Sequence, residues 1–135
     1  MGLDIAQRER EGVVLLDLKG RITIGQEASS FRDAFERIGS NPGSRLLLNM
    51  FAVDYVDSTG LGALVMCSNH IRNSNGVAKL VHVNRRNIEL LVMTKIDAIF
   101  EVFDDETDAI NSFFPGRTVK RFDILSFVRK MQEED

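Results

Sequence analysis

Two carboxylates, two hydroxyls and a pair of glycines crowd into Asp54-Tyr55-Val56-Asp57-Ser58-Thr59-Gly60-Leu61-Gly62. A hydroxyl beside a carboxylate suits three roles: a helix cap, a hydrolytic nucleophile, or the acceptor of a phosphoryl group. Asp54 and Asp57 resemble an acid–base pair only in their spacing, since the stretch supplies no histidine and no activated nucleophile to work with them. Ser58 lacks the Gly-x-Ser-x-Gly elbow of a hydrolase, and His70 and His82 fall on a helix and a strand with no triad-like motif around them. Gly60-Leu61-Gly62 has no third glycine at fingerprint spacing and no following Gly-Lys-Ser, so it is no phosphate-cradling loop. Cys67 and His70 alone are too few for a metal, and Cys67 reads as a core thiol at the border of an apolar helix stripe. The residues point away from an enzyme and call for no cofactor and no metal. A helix cap remains the plain reading of these residues.

The flanking elements decide where these groups stand. Upstream, Arg45-Leu46-Leu47-Leu48-Asn49-Met50 is an apolar run of strand length opened by the turn Pro42-Gly43-Ser44. Downstream, Leu61, Leu64, Val65, Ser68 and Ile71 recur at helical spacing to about Asn73. The unit is strand, short loop, helix, with Asp57 or Ser58 at the N-cap. A hydroxyl there sits at the positive end of the helix dipole, among N–H groups without intrahelical partners, where an added phosphate is tolerated.

The rest of the chain supplies a sheet to carry this unit. Leu3 and Ile5 alternate with polar neighbours, Glu11-Gly12 turns, and Val13-Val14-Leu15-Leu16-Asp17-Leu18 returns as a more buried strand. Residues 20–25 read as a loop, and Ala28, Phe31, Phe35 and Ile38 mark an amphipathic helix over 26–38. After the central unit come a strand over 77–83 and a helix capped by Asn84 with Ile88, Leu91, Val92 and Met93 inward. A strand over 98–103 and a helix opened by Asp104-Asp105-Glu106 follow. Strands and helices alternating after a hairpin predict an α/β fold with a mixed sheet. Ile124, Leu125, Val128 and Met131 share one face of a further helix in the tail, which packs back on the domain or serves self-association.

A chain of 135 residues is one domain's length, and 44% hydrophobic residues suffice for a core without staples. A net charge of −3 with no basic stripe argues against nucleic acid. One cysteine permits no internal disulfide, which fits a reducing compartment. No apolar run reaches membrane-spanning length, so a cytoplasmic protein is expected.

Val56-Asp57-Ser58-Thr59-Gly60-Leu61-Gly62-Ala63-Leu64 resembles the motif of the STAS domain, the fold of bacterial anti-sigma factor antagonists. The resemblance extends over about residues 3–114, through Gly20-Arg21-Ile22-Thr23, Leu80-Val81-His82-Val83 and Ile99-Phe100-Glu101-Val102-Phe103. It implies a STAS domain over 1–114, helices mainly on one sheet face, and a helical extension over 115–135. It also implies a role: binding a partner that is both anti-sigma factor and serine kinase, ended by phosphorylation of Ser58, with Thr59 as the alternative acceptor. Thr23, Asp54, Asp57, Ser58, Thr59, Gly60, Leu61 and Gly62 would form the partner surface. The alternative is a STAS docking subunit of a larger regulatory or transport complex, unphosphorylated. One departure bears on the choice: where family members often carry an aspartate in the first loop this chain has Thr23, and Arg21 replaces an acid two positions earlier. Asp57 is thus left as the main acidic neighbour of Ser58.

Overall fold

The structure, a computed structural model, describes residues 2–134; Met1 and Asp135, the outer ends of the two expected units, lie outside the described residues. The chain opens with strands β1 (Leu3–Arg10) and β2 (Val13–Ile22), then helix α1 (Gln26–Gly39) and strand β3 (Arg45–Val56). Helix α2 (Ser58–Asn73), strand β4 (Val77–Val81) and helix α3 (Arg85–Met93) follow. A 3-10 turn (Ile96–Ala98), strand β5 (Val102–Phe103), helix α4 (Glu106–Asn111) and helix α5 (Ile124–Glu134) complete it.

The five strands lie in sequence order, β1 antiparallel to β2 and every later pair parallel. Right-handed crossovers that always step in one direction put their helices on one face. Accordingly, Phe31 and Phe35 of α1, Leu64 and Cys67 of α2 and Leu91 of α3 share one apolar cluster with Leu16, Leu48 and Leu80 of the sheet. The opposite face is covered over half its length only. There α4 brings Ala109 and Ile110 against Val13, Leu15, Leu47, Val81 and Phe103. Arg8 and Arg10 of β1 clasp Glu106 of α4, and Arg8 also holds Asp17 of β2.

Several boundaries differ from those expected. Residues 20–22 are strand, because β2 continues beside β3 through register shifts at Asp17/Lys19 and Gly20/Arg21. β3 likewise runs to Val56, so Asp54 and Tyr55 stand on a strand end instead of in a loop. The expected strand over 98–103 shrinks to two residues, since Ile96–Ala98 winds into a 3-10 turn. Cys67 is fully buried in the middle of the α2 stripe with Ala63, Leu64 and Ile71, not at its border. Met93 faces out, 80% exposed.

The tail crosses from one face to the other around the β5 edge. It leaves α4 with the Lys120 N–H donating to Asp108, pairs Arg121 with Glu101, and starts α5 where Asp123 accepts from the Ser126 N–H. Met131 then buries against α3, and Arg85 donates to its carbonyl at 3.4 Å.

Candidate functional site

α2 begins where the ends of β2 and β3 lie side by side, with Ile22 paired to Val56. Asp57 is the N-cap: its Oδ1 accepts from the Gly60 N–H at 2.8 Å. Its Oδ2 accepts from the Ile24 N–H at 3.0 Å, and its own N–H donates to the Ile22 carbonyl at 3.2 Å. One residue therefore caps a helix and fastens the first loop to it. The two amides, Gly60 first and Ile24 second, hold the Asp57 carboxyl below the usual carboxylate range, so it is ionised at neutral pH.

Gly60 explains why the loop can come this close. A Cβ built there would overlap the Ile22 carbonyl oxygen and approach Val56 Cγ1 to 2.9 Å, whereas at Gly62 nothing lies within 4 Å. The two glycines thus differ: the first admits a backbone, and the second faces solvent.

The expected site residues gather here. Ser58 and Thr59 are the exposed first residues of α2, and among the described residues the Ser58 hydroxyl has no hydrogen-bond partner. Leu61 is half-buried, Gly62 exposed, and Gly60 buried beneath the first loop. Thr23 is half-buried, and its carbonyl accepts from the Ala28 N–H at 3.1 Å at the start of α1. Asp54 is exposed on β3 and points to no cation among the described residues. Ile24, 73% exposed, stands beside the cap as an apolar member of the surface that the sequence did not single out.

A groove of about 420 Å³ runs from Ser58 and Leu61 to α3, whose Arg86, Leu90 and Met93 form its far wall. The Arg86 guanidinium lies 5.7 Å above the Tyr55 ring on the groove floor. α3 is held in place by Asn84 and Asn87, whose side-chain amides both donate to the Val53 carbonyl, at 2.9 and 3.1 Å. Asn84 also caps the helix by accepting from the Asn87 N–H. Asn84 was readable as a cap, but the buried Asn87 was not. Its only signal is a polar residue at the position where the apolar stripe of α3 begins.

Among the described residues no three His, Cys, Asp or Glu side chains converge as metal ligands, and no helix is long and apolar enough to cross a membrane.

The family model of the STAS domain matches residues 4–109. A STAS-domain containing protein of Pseudomonas aeruginosa is 25% identical over 87 residues, which are 64% of this chain and 84% of that one. Among solved structures, a candidate anti-sigma factor antagonist of Thermotoga maritima superposes with a TM-score of 0.71 at 26% identity, covering 81% of this chain and 93% of its own. A murine anion transporter of the solute carrier 26 family shares the fold at 19% identity and a TM-score of 0.68, over 78% of this chain and 18% of the transporter. With its mixed sheet, its one-sided crossover helices and the Asp57-Ser58 cap at the head of α2, the chain belongs to the STAS domain family.

Proposed function

We propose that this chain is an anti-sigma factor antagonist that docks on an anti-sigma factor with serine kinase activity and is released by phosphorylation of Ser58. The observation that carries the reading is the placement of Ser58: an exposed hydroxyl at the head of α2, beside a groove whose apolar wall comes from α3. Ile24, Leu61 and Met93 supply the apolar contact, and Asp54 and Arg86 supply polar rim. ATP belongs to the partner; the chain contributes the acceptor and no catalysis of its own, in the cytoplasm.

A phosphate on Ser58 adds about −1.5 to −2 charges at neutral pH. The helix N-terminus favours that charge, but Asp57 already occupies the Gly60 N–H and opposes a second anion beside it. The phosphate therefore remains at the surface, where it strips affinity from a partner contact. Loss of about 3 kcal/mol there weakens binding by roughly a hundredfold.

Site-mapped mass spectrometry on the protein from the cells that make it, with and without stress, tests the proposal. A Ser58 phosphate that changes with condition supports it, and so does loss of kinase binding in Ser58→Asp but not Ser58→Ala. A chain always unmodified at Ser58 and Thr59 favours the second reading, a docking subunit of a larger complex. Thr23, a neutral residue in the loop that Asp57 fastens, is the observation that speaks for that alternative.

A further inference from the structure

The two edges of the sheet are built differently. β5 is two residues long and the tail crosses beside it, with Arg121 paired to Glu101. β1 is eight residues long, contains no proline, and pairs with β2 in unbroken register from Leu3/Gly20 to Arg10/Val13. Of the usual guards of an edge, β1 lacks shortness, proline and a bulge. It does carry charge, but Asp4 and Glu9 against Arg8 and Arg10 make that charge of both signs, able to pair with a second copy in the right register.

The register also says which backbone groups are unpaired. The Arg21 N–H donates to the Gly2 carbonyl, so Gly2/Arg21 is a hydrogen-bonded pair, and in an antiparallel ladder such pairs recur at every second residue. The even residues of β1 therefore bond to β2. The N–H and C=O groups of Leu3, Ile5, Gln7 and Glu9 point to the open edge. α1 packs on one face of β1, under Leu3 and Ile5, and reaches its edge with a side-chain bond from Arg37 to Gln7 Oε1 at 2.9 Å.

We propose that β1 is a self-association edge: it pairs antiparallel with β1 of a second copy about a two-fold axis at Ala6, joining two five-stranded sheets into one of ten. Hydrogen-bond parity allows odd residues to face only odd residues, which restricts the register. Centring on Arg8 sets two guanidinium groups directly opposite each other, which is destabilising. Centring on Ile5 leaves no charge pair, and centring on Gln7 sets Asp4 opposite Arg10 but puts Ile5 opposite the Glu9 carboxylate and two long glutamines on the axis. Centring on Ala6 sets Asp4 opposite Arg8 of the second copy twice, places Ile5 opposite Gln7, and puts the two smallest side chains at the close, non-hydrogen-bonded pair on the axis. Arg8 also holds Asp17 and Glu106, and Asp4 faces Lys19 on β2, so the added pairs extend an alternating array of charges. Isologous two-fold contacts of this kind use the same patch on both subunits.

Sedimentation of the full chain up to millimolar concentration tests this, alongside two variants. The wild type is expected to dimerise with concentration. Gln7→Pro removes an outward N–H without touching the β1–β2 ladder, a position where an edge strand accepts proline; it is expected to weaken the dimer at least about tenfold while circular dichroism and thermal unfolding show it folded. Ala6→Cys is expected to form a disulfide-linked dimer on mild oxidation, because Cα atoms in a non-hydrogen-bonded pair lie about 4.5 Å apart. The native Cys67 is buried and silent. A chain monomeric at millimolar concentration overturns the proposal. So does a dimer that survives in folded Gln7→Pro, which would place the contact elsewhere, the α5 face included. Cross-linking by Gln7→Cys but not Ala6→Cys overturns the register.

Discussion

Replacing either glycine of Gly60-Leu61-Gly62 by alanine is the same chemical change, yet the structure assigns it opposite signs. At Gly62 the new methyl meets nothing within 4 Å. Removing a glycine from a helix then stabilises by about 0.5–1 kcal/mol through the unfolded chain, less near a helix end. At Gly60 the same gain is available, but the methyl overlaps the Ile22 carbonyl oxygen and lies 2.9 Å from both Ile22 C and Val56 Cγ1. Two of these contacts are backbone, so the first loop must lift away from α2. Lifting lengthens the Asp57 N–H bond to Ile22 and the Ile24 N–H bond to Asp57. Overpacking costs about 1–3 kcal/mol and each weakened hydrogen bond about 1, so the net loss is roughly 2–4 kcal/mol. Urea unfolding measures both variants, and amide hydrogen exchange at Ile24 reports the loop. A Gly60→Ala protein as stable as wild type, with the Ile24 amide still protected, would refute the close approach of loop and helix.

Other consequences can be checked with equally simple assays. Lys79 is buried on β4, donates to the Ser112 carbonyl and Oγ at 3.1 and 2.9 Å, and lies 4.6 Å from the Phe113 ring centroid. Lys79→Ala should cost about 2–4 kcal/mol in urea unfolding and Lys79→Met clearly less, since the methionine keeps the apolar stem. Arg8 holds both Asp17 and Glu106 below their ordinary pKa values. Depressed carboxylates contribute stability above the unfolded pKa, and that contribution is lost as pH falls through the folded one. Stability should therefore fall below about pH 4, less steeply in Asp17→Asn, and by at most about 1 kcal/mol because solvent reaches these groups. Burial pushes the Cys67 thiol up to about 12, so a disulfide reagent should label it at the rate of unfolding and no faster in the native protein.

The cap and the stripe were legible because they are local. Asp57 precedes a helix whose apolar residues repeat every three or four positions, and both facts lie within one short stretch. The contents of the site were less so, since they depend on segments far apart in the chain. Nothing beside Ile24 says that its amide reaches Asp57, and Gly60 looks like Gly62 until Ile22 is placed above it. Strand limits failed for the same reason. Gly20 has no side chain and Arg21 a charged one, and β2 holds them extended only because β3 continues beside them. The short β5 shows the converse: Ile99 and Phe100 are apolar enough for a strand, but the preceding 3-10 turn takes up the chain before it reaches the sheet edge. Met93 matched an inward helical position and is exposed because α3 ends there, at the rim of the groove.

The strands stand in the sheet in the order in which they occur in the chain, and this bears on synthesis. Each strand docks only on the one made just before it, so no half-built sheet waits for a partner still unmade. Only the β1–β2 hairpin closes a short loop; each parallel pair must wait for its crossover helix, so the sheet grows from the N-terminal side and the parallel steps set its pace. The Asp57 clasp between the first loop and α2 can close once the first seventy or so residues have left the ribosome, before α3 raises the second wall of the groove. The bridge from Arg8 and Arg10 to Glu106 forms only after β5 is made and ties the first strand to α4, so its formation marks a completed sheet.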